Sequence, residues 1–198
     1  MASLWRSRDR TAWRDALARY PEVVAAQGVA RLADLDRWYR NELPASIGSR
    51  ALPHVTHDEL VRVTEWKMAR GVWRARNLVL VRGNDDQQVV ESSRSALAAV
   101  PHPTLPIATL SRLAGVGPAT ASAVAAAASP ACYPFLDELV AAVMPDLGPV
   151  AWTLGYYARY AEGLRHRAKE LGDDWTPVMV ERSVWSDVGG KAGARQAS

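Results

Sequence analysis

The chain has 198 residues, of which 48% are hydrophobic and 23% charged, a composition typical of globular proteins. Its formal net charge of +3 does not by itself indicate a nucleic-acid partner. A single cysteine excludes an internal disulfide and a four-cysteine iron–sulfur or zinc site formed by this chain, and the four histidines have no metal-ligand spacing. Because no apolar run is long enough to span a bilayer and no secretory signal is evident, we expect an intracellular protein, of the cytoplasm or the nucleus, that is neither secreted nor bound to a membrane.

Apolar residues recur at helical spacing along most of the chain, and no segment shows the clear alternation of a strand. Near the N-terminus the spacing predicts one helix over residues 11–27 and a second over residues 32–43, which Pro44 is expected to end. Thr56 and Glu59 form a capping box at the start of the next helix. Further helices are predicted over residues 74–81, 86–100, 136–144, 151–171 and 176–187.

A basic run follows the capping box. Lys67, Arg70 and Arg74 share one face if the helix continues through the intervening glycine, and this face would form a ridge that contacts phosphates. A solvated basic face is the alternative. Trp66 and Trp73 are expected in the core because their spacing of seven is typical of a buried helix face, and the alternative is that one of them stacks on a base.

The most specific pattern in the chain is the run Leu-Ala-Gly-Val-Gly-Pro that ends at Pro118. Gly115 and Gly117 permit a tight turn and close approach of another backbone, and proline suits the first position of a new helix. The N–H groups of Gly117, Ala119 and Thr120 then lie at a helix N-terminus, whose partial positive charge suits a phosphate. The pattern predicts a helix-hairpin-helix, and the alternative is an ordinary joint between two helices.

Asp137 stands before a predicted short helix, where an aspartate usually caps the N-terminus. Four aromatic residues follow at helical spacing: Trp152, Tyr156, Tyr157 and Tyr160. Such a stripe is expected in a core, with the wall of a base pocket as the alternative. Tyr133 lies closer to the carboxylate in sequence and is the stronger candidate for a pocket residue.

The hairpin and the carboxylate together resemble the helix-hairpin-helix base-excision DNA glycosylases, the superfamily of endonuclease III and the adenine glycosylase MutY. That family has a hairpin of the type Leu-Pro-Gly-Val-Gly-x-Lys-Thr-Ala, then a helix, a turn and a catalytic aspartate. In this chain Asp137 follows Ala119 by 18 residues, which matches the family separation between the lysine and the aspartate. The resemblance is specific over residues 105–140.

This resemblance implies a clamp on the DNA backbone and one catalytic group. The clamp consists of Gly115, Val116 and Gly117, and Ala119 and Thr120 are further residues expected to bind DNA. The catalytic group is Asp137, which would stabilise the oxocarbenium-like charge on the deoxyribose or activate the attacking water. Ala119 occupies the lysine position of the bifunctional members, so no Schiff base is expected by that route. Monofunctional members also lack this lysine, so the resemblance implies a monofunctional DNA glycosylase of base-excision repair.

The resemblance also implies an all-α fold with two lobes. Residues 56–149 would form one lobe, with the helix-hairpin-helix at residues 110–128, and residues 1–55 would join residues 150–188 in the second. Residues 189–198 are expected to form a flexible tail. The expected partner is double-stranded DNA, and no cofactor is expected apart from a monovalent cation, which is compatible with the hairpin. Two alternatives remain open: a non-catalytic DNA-binding module and a helix-hairpin-helix module that binds protein.

Overall fold

The computed structural model describes residues 4–196, and their side chains as far as residue 193. Within this range the chain forms helices joined by turns and no strand, which confirms the predicted all-α class. The helices are α1 (Arg10–Ala18), α2 (Tyr20–Ala26), α3 (Leu32–Arg37), α4 (Leu43–Gly48), α5 (His57–Arg70), α6 (Ala75–Arg82), α7 (Asp86–Ala98), α8 (Leu105–Leu110), α9 (Pro118–Ala128), α10 (Glu138–Val143), α11 (Leu154–Leu171), α12 (Pro177–Asp187) and α13 (Gly190–Gln196). None of the helices in the described part of the chain combines the length and the apolarity that crossing a bilayer requires.

The helices pack in two groups that share one buried hydrophobic cluster. In the first group α12 packs against α1, α2, α11 and α13, so N-terminal helices meet C-terminal ones. In the second group α5 packs against α3, α6, α7 and α9, and α8 packs against α7 and α9. The alanine-rich helix α9 is buried from Thr120 to Ala127, because its small side chains let the neighbouring helices approach closely.

Helix α5 carries the basic run. It begins at the predicted capping box, which the structure confirms: Thr56 Oγ1 accepts from the Glu59 N–H at 3.2 Å, and Glu59 Oε2 accepts from the Thr56 N–H at 2.8 Å. The helix ends at Arg70, and Gly71 leaves the helical conformation. Trp66 is fully buried, as its spacing predicts.

Two predictions near the N-terminus are wrong in detail. The helix predicted over residues 11–27 is interrupted at Arg19, between α1 and α2, where Pro21 lies in the first turn of the new helix. Pro44 does not end the next helix, since a π-helical turn, Trp38–Glu42, links α3 to α4. The wider turn places Pro44 in the first turn of α4, where its missing N–H is tolerated.

Where a flexible tail is predicted over residues 189–198, the structure gives residues 190–196 a helical conformation, and residues 197 and 198 lie outside the described residues. Helix α13 occupies most of this segment. Lys191 Nζ donates to the Gly71 carbonyl at 2.7 Å, and the Ala192 N–H donates to Gln27 Oε1 at 2.9 Å. These long-range hydrogen bonds hold a segment whose composition carries no helical signal of its own.

Candidate functional site

The turn between α8 and α9 is fixed on one side by α6. Gly115 has a φ of +72°, and a Cβ there would lie 2.6 Å from the Asn77 carbonyl oxygen and 2.9 Å from Leu80 Cβ. The Asn84 amide pairs with the backbone of Ala114: its Oδ1 accepts at 2.8 Å and its Nδ2 donates at 3.0 Å. Only glycine suits this position, because a side chain would be strained at this positive φ and would collide with α6.

The other side of the turn is open. Gly117 is exposed, and a Cβ there would meet no atom within 4 Å. It caps α9 in ordinary extended backbone, with no side-chain cap. Among the described residues, no partner accepts from the N–H groups of Gly115, Gly117, Ala119 or Thr120. The Val116 N–H donates to the Leu113 carbonyl at 3.1 Å, so the prediction that Val116 contributes an amide to a phosphate clamp is wrong.

A cavity of about 270 Å³ lies where the two groups of helices meet. Its wall combines the start of α9, the end of α5 with the loop that follows, the start of α10, and single residues from the C-terminal third. The lining residues are Lys67, Arg70, Gly71, Val72, Arg74, Asn77, Gly117, Pro118, Ala119, Thr120, Phe135, Leu136, Asp137, Glu138, Leu139, Trp152 and Lys191. Asp137 therefore faces the same space as Gly117, Ala119 and Thr120, whereas Gly115 and Val116 do not line it.

Both carboxylate oxygens of Asp137 have partners within the protein. Its Oδ1 caps α10, accepting from the N–H groups of Leu139 at 2.8 Å and Val140 at 3.4 Å. Its Oδ2 lies 3.4 Å from Arg70 Nε, within ion-pair range but outside hydrogen-bond geometry. The carboxylate is 7% exposed and still lines the cavity. The capping interpretation is thus confirmed, and it coexists with a position in the cavity wall.

Hydrogen bonds tie the segment before Asp137 to the start of α9. The Leu136 N–H donates to Ser122 Oγ at 2.9 Å, and the same hydroxyl donates to the Ala119 carbonyl at 2.9 Å. From the other side, the Tyr160 hydroxyl donates to the Phe135 carbonyl at 2.7 Å. Burial raises the pKa of Tyr160 well above its ordinary value, so this phenol stays a donor. The carboxylate is therefore held at a fixed distance from the turn.

Arg70 lies inside the protein, and the prediction that it contacts phosphate from a surface ridge is wrong. It is 2% exposed, hydrogen-bonds Glu181 of α12 and packs over the Trp185 ring at 4.5 Å from the centroid. Burial alone would lower the pKa of Arg70. The nearby carboxylates of Glu181 and Asp137 outweigh this effect and raise the pKa above its ordinary value, so the guanidinium stays charged. Arg70 lies behind the carboxylate of Asp137 and is not a surface contact.

Lys67 and Arg74 reach the cavity without forming the predicted helical ridge. Arg74 is exposed and follows the end of α5, so the two residues do not share a helix face. Lys67 is half-buried, and no hydrogen bond or ion pair within the described residues involves its ammonium group. Burial, together with the charge of Arg74, lowers the pKa of Lys67. Lys191 of α13 adds a cation to the cavity wall that helical spacing alone does not place here.

Three aromatic residues lie in places other than those predicted, two of them at the surface and one in the core. Trp73 is 55% exposed, between two residues that line the cavity, and Trp152 is 44% exposed and lines it. Both were expected in the core. Tyr133 was the expected pocket residue, but it is buried, its hydroxyl donates to the His102 carbonyl at 2.8 Å, and it does not line the cavity. The other three members of the stripe are in the core as expected: Tyr156, Tyr157 and Tyr160.

The charges around the cavity favour an anionic ligand. Four lining side chains are cationic and two are acidic: Lys67, Arg70, Arg74, Lys191, Asp137 and Glu138. Within the described residues, no group of three or more His, Cys, Asp or Glu side chains is placed to hold a metal ion.

Comparisons with protein-family models, with curated proteins and with solved structures each found no match to this chain.

Proposed function

We propose that this protein binds double-stranded DNA through the turn at Gly117 and hydrolyses the N-glycosidic bond of a nucleotide held in the cavity. The observation that carries the proposal is the shared wall: Asp137 and the uncapped start of α9 line one cationic cavity. Helix N-termini bind phosphate through free N–H groups and a partial positive charge. A carboxylate beside that phosphate faces the sugar attached to it.

The cavity suits one flipped base. Its volume of about 270 Å³ is close to the lower end of small-molecule sites, which begin at about 300 Å³. Extruding a base costs a few kcal/mol of stacking and pairing. Trp73, exposed beside the cavity, supplies an aromatic face that can stack in the gap left in the duplex, and Trp152 supplies another in the cavity itself.

In the reaction, bond cleavage builds positive charge at C1′ of the deoxyribose. The carboxylate of Asp137 stabilises this charge or orients the attacking water, as carboxylates do in glycoside hydrolysis. Arg70 and the α10 amides hold the carboxylate in place, so little reorganisation is needed as the charge develops. Lys67, Arg74 and Lys191 attract the neighbouring phosphates.

The first experiment measures DNA binding and its dependence on salt. Phosphate contacts release counterions, so the affinity for a duplex is expected to fall steeply as salt rises. A panel of duplexes with uracil, alkylated, oxidised or deaminated bases then tests base release. No binding to any duplex at low salt would contradict the proposal and favour a module that binds protein.

A non-catalytic DNA-binding module is the second candidate, and one observation favours it. Both carboxylate oxygens of Asp137 already have protein partners, so capping and the ion pair alone account for this residue. Salt-dependent binding without base release from any duplex of the panel would select this candidate.

A further inference from the structure

Glu181 is a buried carboxylate that contacts the wall of the cavity through Arg70 and that the proposed reaction does not use. It belongs to α12, and its side chain is 0% exposed. Its Oε1 accepts from Arg70 Nη2, and its Oε2 lies 4.0 Å from Arg40 Nη2 without a hydrogen bond to any described residue. Replacing a buried ion pair by apolar side chains of similar volume is often neutral for stability, so stability alone does not account for a carboxylate at this position.

Arg70 shares one edge of its guanidinium group between two carboxylates. The Nε–H and one Nη2–H of an arginine point from the same edge, which a single carboxylate can occupy with two parallel hydrogen bonds. Here Nη2 donates to Glu181, whereas Nε lies 3.4 Å from Asp137 Oδ2 and outside hydrogen-bond geometry. The two acids therefore compete for one edge of Arg70, and Glu181 holds its hydrogen-bonded part.

The cations around Glu181 favour its ionised form. Burial and the like charge of Asp137 raise the pKa of Glu181, and the guanidinium groups of Arg70 and Arg40 oppose that rise. Both guanidinium groups lie within 4.0 Å of the carboxylate, and the pKa of Arg70 is itself raised by Glu181. Glu181 and Arg70 are therefore held as an ion pair, in which Glu181 supplies most of the counter-charge of Arg70.

We propose that Glu181 is a positioning residue that keeps the carboxylate of Asp137 available to the sugar, an inference that rests on the proposed function. By holding Nη2, Glu181 prevents Arg70 from closing its whole edge on Asp137. Without this counter-charge both N–H groups turn to Asp137, and the guanidinium charge moves closer to its carboxylate. A carboxylate paired in that way stabilises less of the positive charge that develops at C1′, because the nearby cation opposes it.

The experiment measures single-turnover base release by the full chain from the panel of duplexes described above. Glu181→Gln keeps the volume and an acceptor for Arg70 but removes the charge, and Glu181→Asp keeps the charge. The double variant Arg70→Met with Glu181→Leu removes both members of the pair, so that the α10 amides alone hold Asp137. Each rate is divided by the folded fraction from circular dichroism, and a gel shift reports duplex binding separately.

We expect Glu181→Gln to release the base about tenfold more slowly than the wild type, because a neutral acceptor holds Arg70 about half as strongly as a charged one. Duplex binding should stay unchanged, since Glu181 is fully buried. Glu181→Asp and the double variant should both be faster than Glu181→Gln, whereas a merely structural role would leave all rates per folded molecule equal.

Equal rates for Glu181→Gln and the wild type overturn the inference and leave the proposed function standing. The same holds if Glu181→Asp or the double variant is as slow as Glu181→Gln. If Glu181→Gln does not fold, the double variant is compared with the wild type: a rate close to that of the wild type supports the inference, and a loss of release overturns it. No base release by the wild type overturns the inference and the proposed function together.

Discussion

The substitution Gly117→Asp tests whether the start of α9 contacts a phosphate, because it should act on folding and on DNA binding in different ways. Gly117 caps α9 with φ −97° and ψ −179°, a conformation open to any residue, and the space around it is empty to 4 Å. Aspartate is a better N-cap than glycine by roughly a few tenths of a kcal/mol. The free energy of unfolding is therefore expected to stay the same or to rise slightly.

The effect on binding is expected to be much larger. Two negative charges about 4 Å apart repel each other by about 1 kcal/mol in bulk water and by about 4 kcal/mol at the effective dielectric constant of a protein surface. Since about 1.4 kcal/mol is a factor of ten, a carboxylate at Gly117 should weaken duplex binding by about fivefold to several hundredfold. Repulsion is screened by salt, so the loss should be greatest at low ionic strength.

Fluorescence anisotropy with a labelled duplex at two salt concentrations measures this loss. The matched variant is Gly117→Asn, which has nearly the same size and caps a helix as well as aspartate does but carries no charge. The ratio of the two affinities isolates the electrostatic part of the effect. Equal binding by the two variants would refute the assignment of a phosphate to the start of α9.

Two further predictions concern the frame around the site. Gly115→Ala should destabilise the fold by about 1–3 kcal/mol through strain at φ +72° and a close contact with the Asn77 carbonyl, whereas Gly117→Ala should be nearly neutral. Equal urea midpoints for these two variants would contradict the description of the turn. Arg70→Met should cost about 3–5 kcal/mol because it removes the hydrogen-bonding partner of the buried Glu181 carboxylate, whose other cation, Arg40, lies 4.0 Å away, and the double variant with Glu181→Leu should recover most of that loss in urea denaturation. A single variant as stable as the wild type would show that the pair is not needed.

Features set by short sequence separations could be predicted from the sequence. The capping box at Thr56 and Glu59 depends on residues three apart, and the structure contains both of its hydrogen bonds. The turn at Gly115 and the cap at Asp137 are equally local, since each is defined by a few consecutive residues. In all these cases the backbone groups that need partners lie within one helical turn of the side chain that supplies them.

The side chains that lie far apart in sequence could not be placed in this way. Lys67 and Arg70 belong to one basic run, but Arg70 is buried because Glu181, 111 positions away, supplies its counter-charge. Lys191 reaches the cavity because its ammonium group hydrogen-bonds the Gly71 carbonyl, 120 positions away. Helical spacing tells which residues share a face, but only tertiary packing decides what covers that face. Trp73 was wrongly placed in the core for the same reason, since α5 ends before it.

The rate of base release by Asp137→Asn measures whether this carboxylate acts on the glycosidic bond. Asparagine caps α10 about as well as aspartate, so the fold and duplex binding should persist, which thermal unfolding and a gel shift check. Glu138→Gln is the matched control, since it removes the neighbouring carboxylate of the same cavity. We expect the wild type and Glu138→Gln to release a base from at least one duplex of the panel, and Asp137→Asn to do so about 10²–10³ times more slowly in single turnover. Equal rates in all three proteins, or no release by a wild type that binds every duplex, would contradict this expectation.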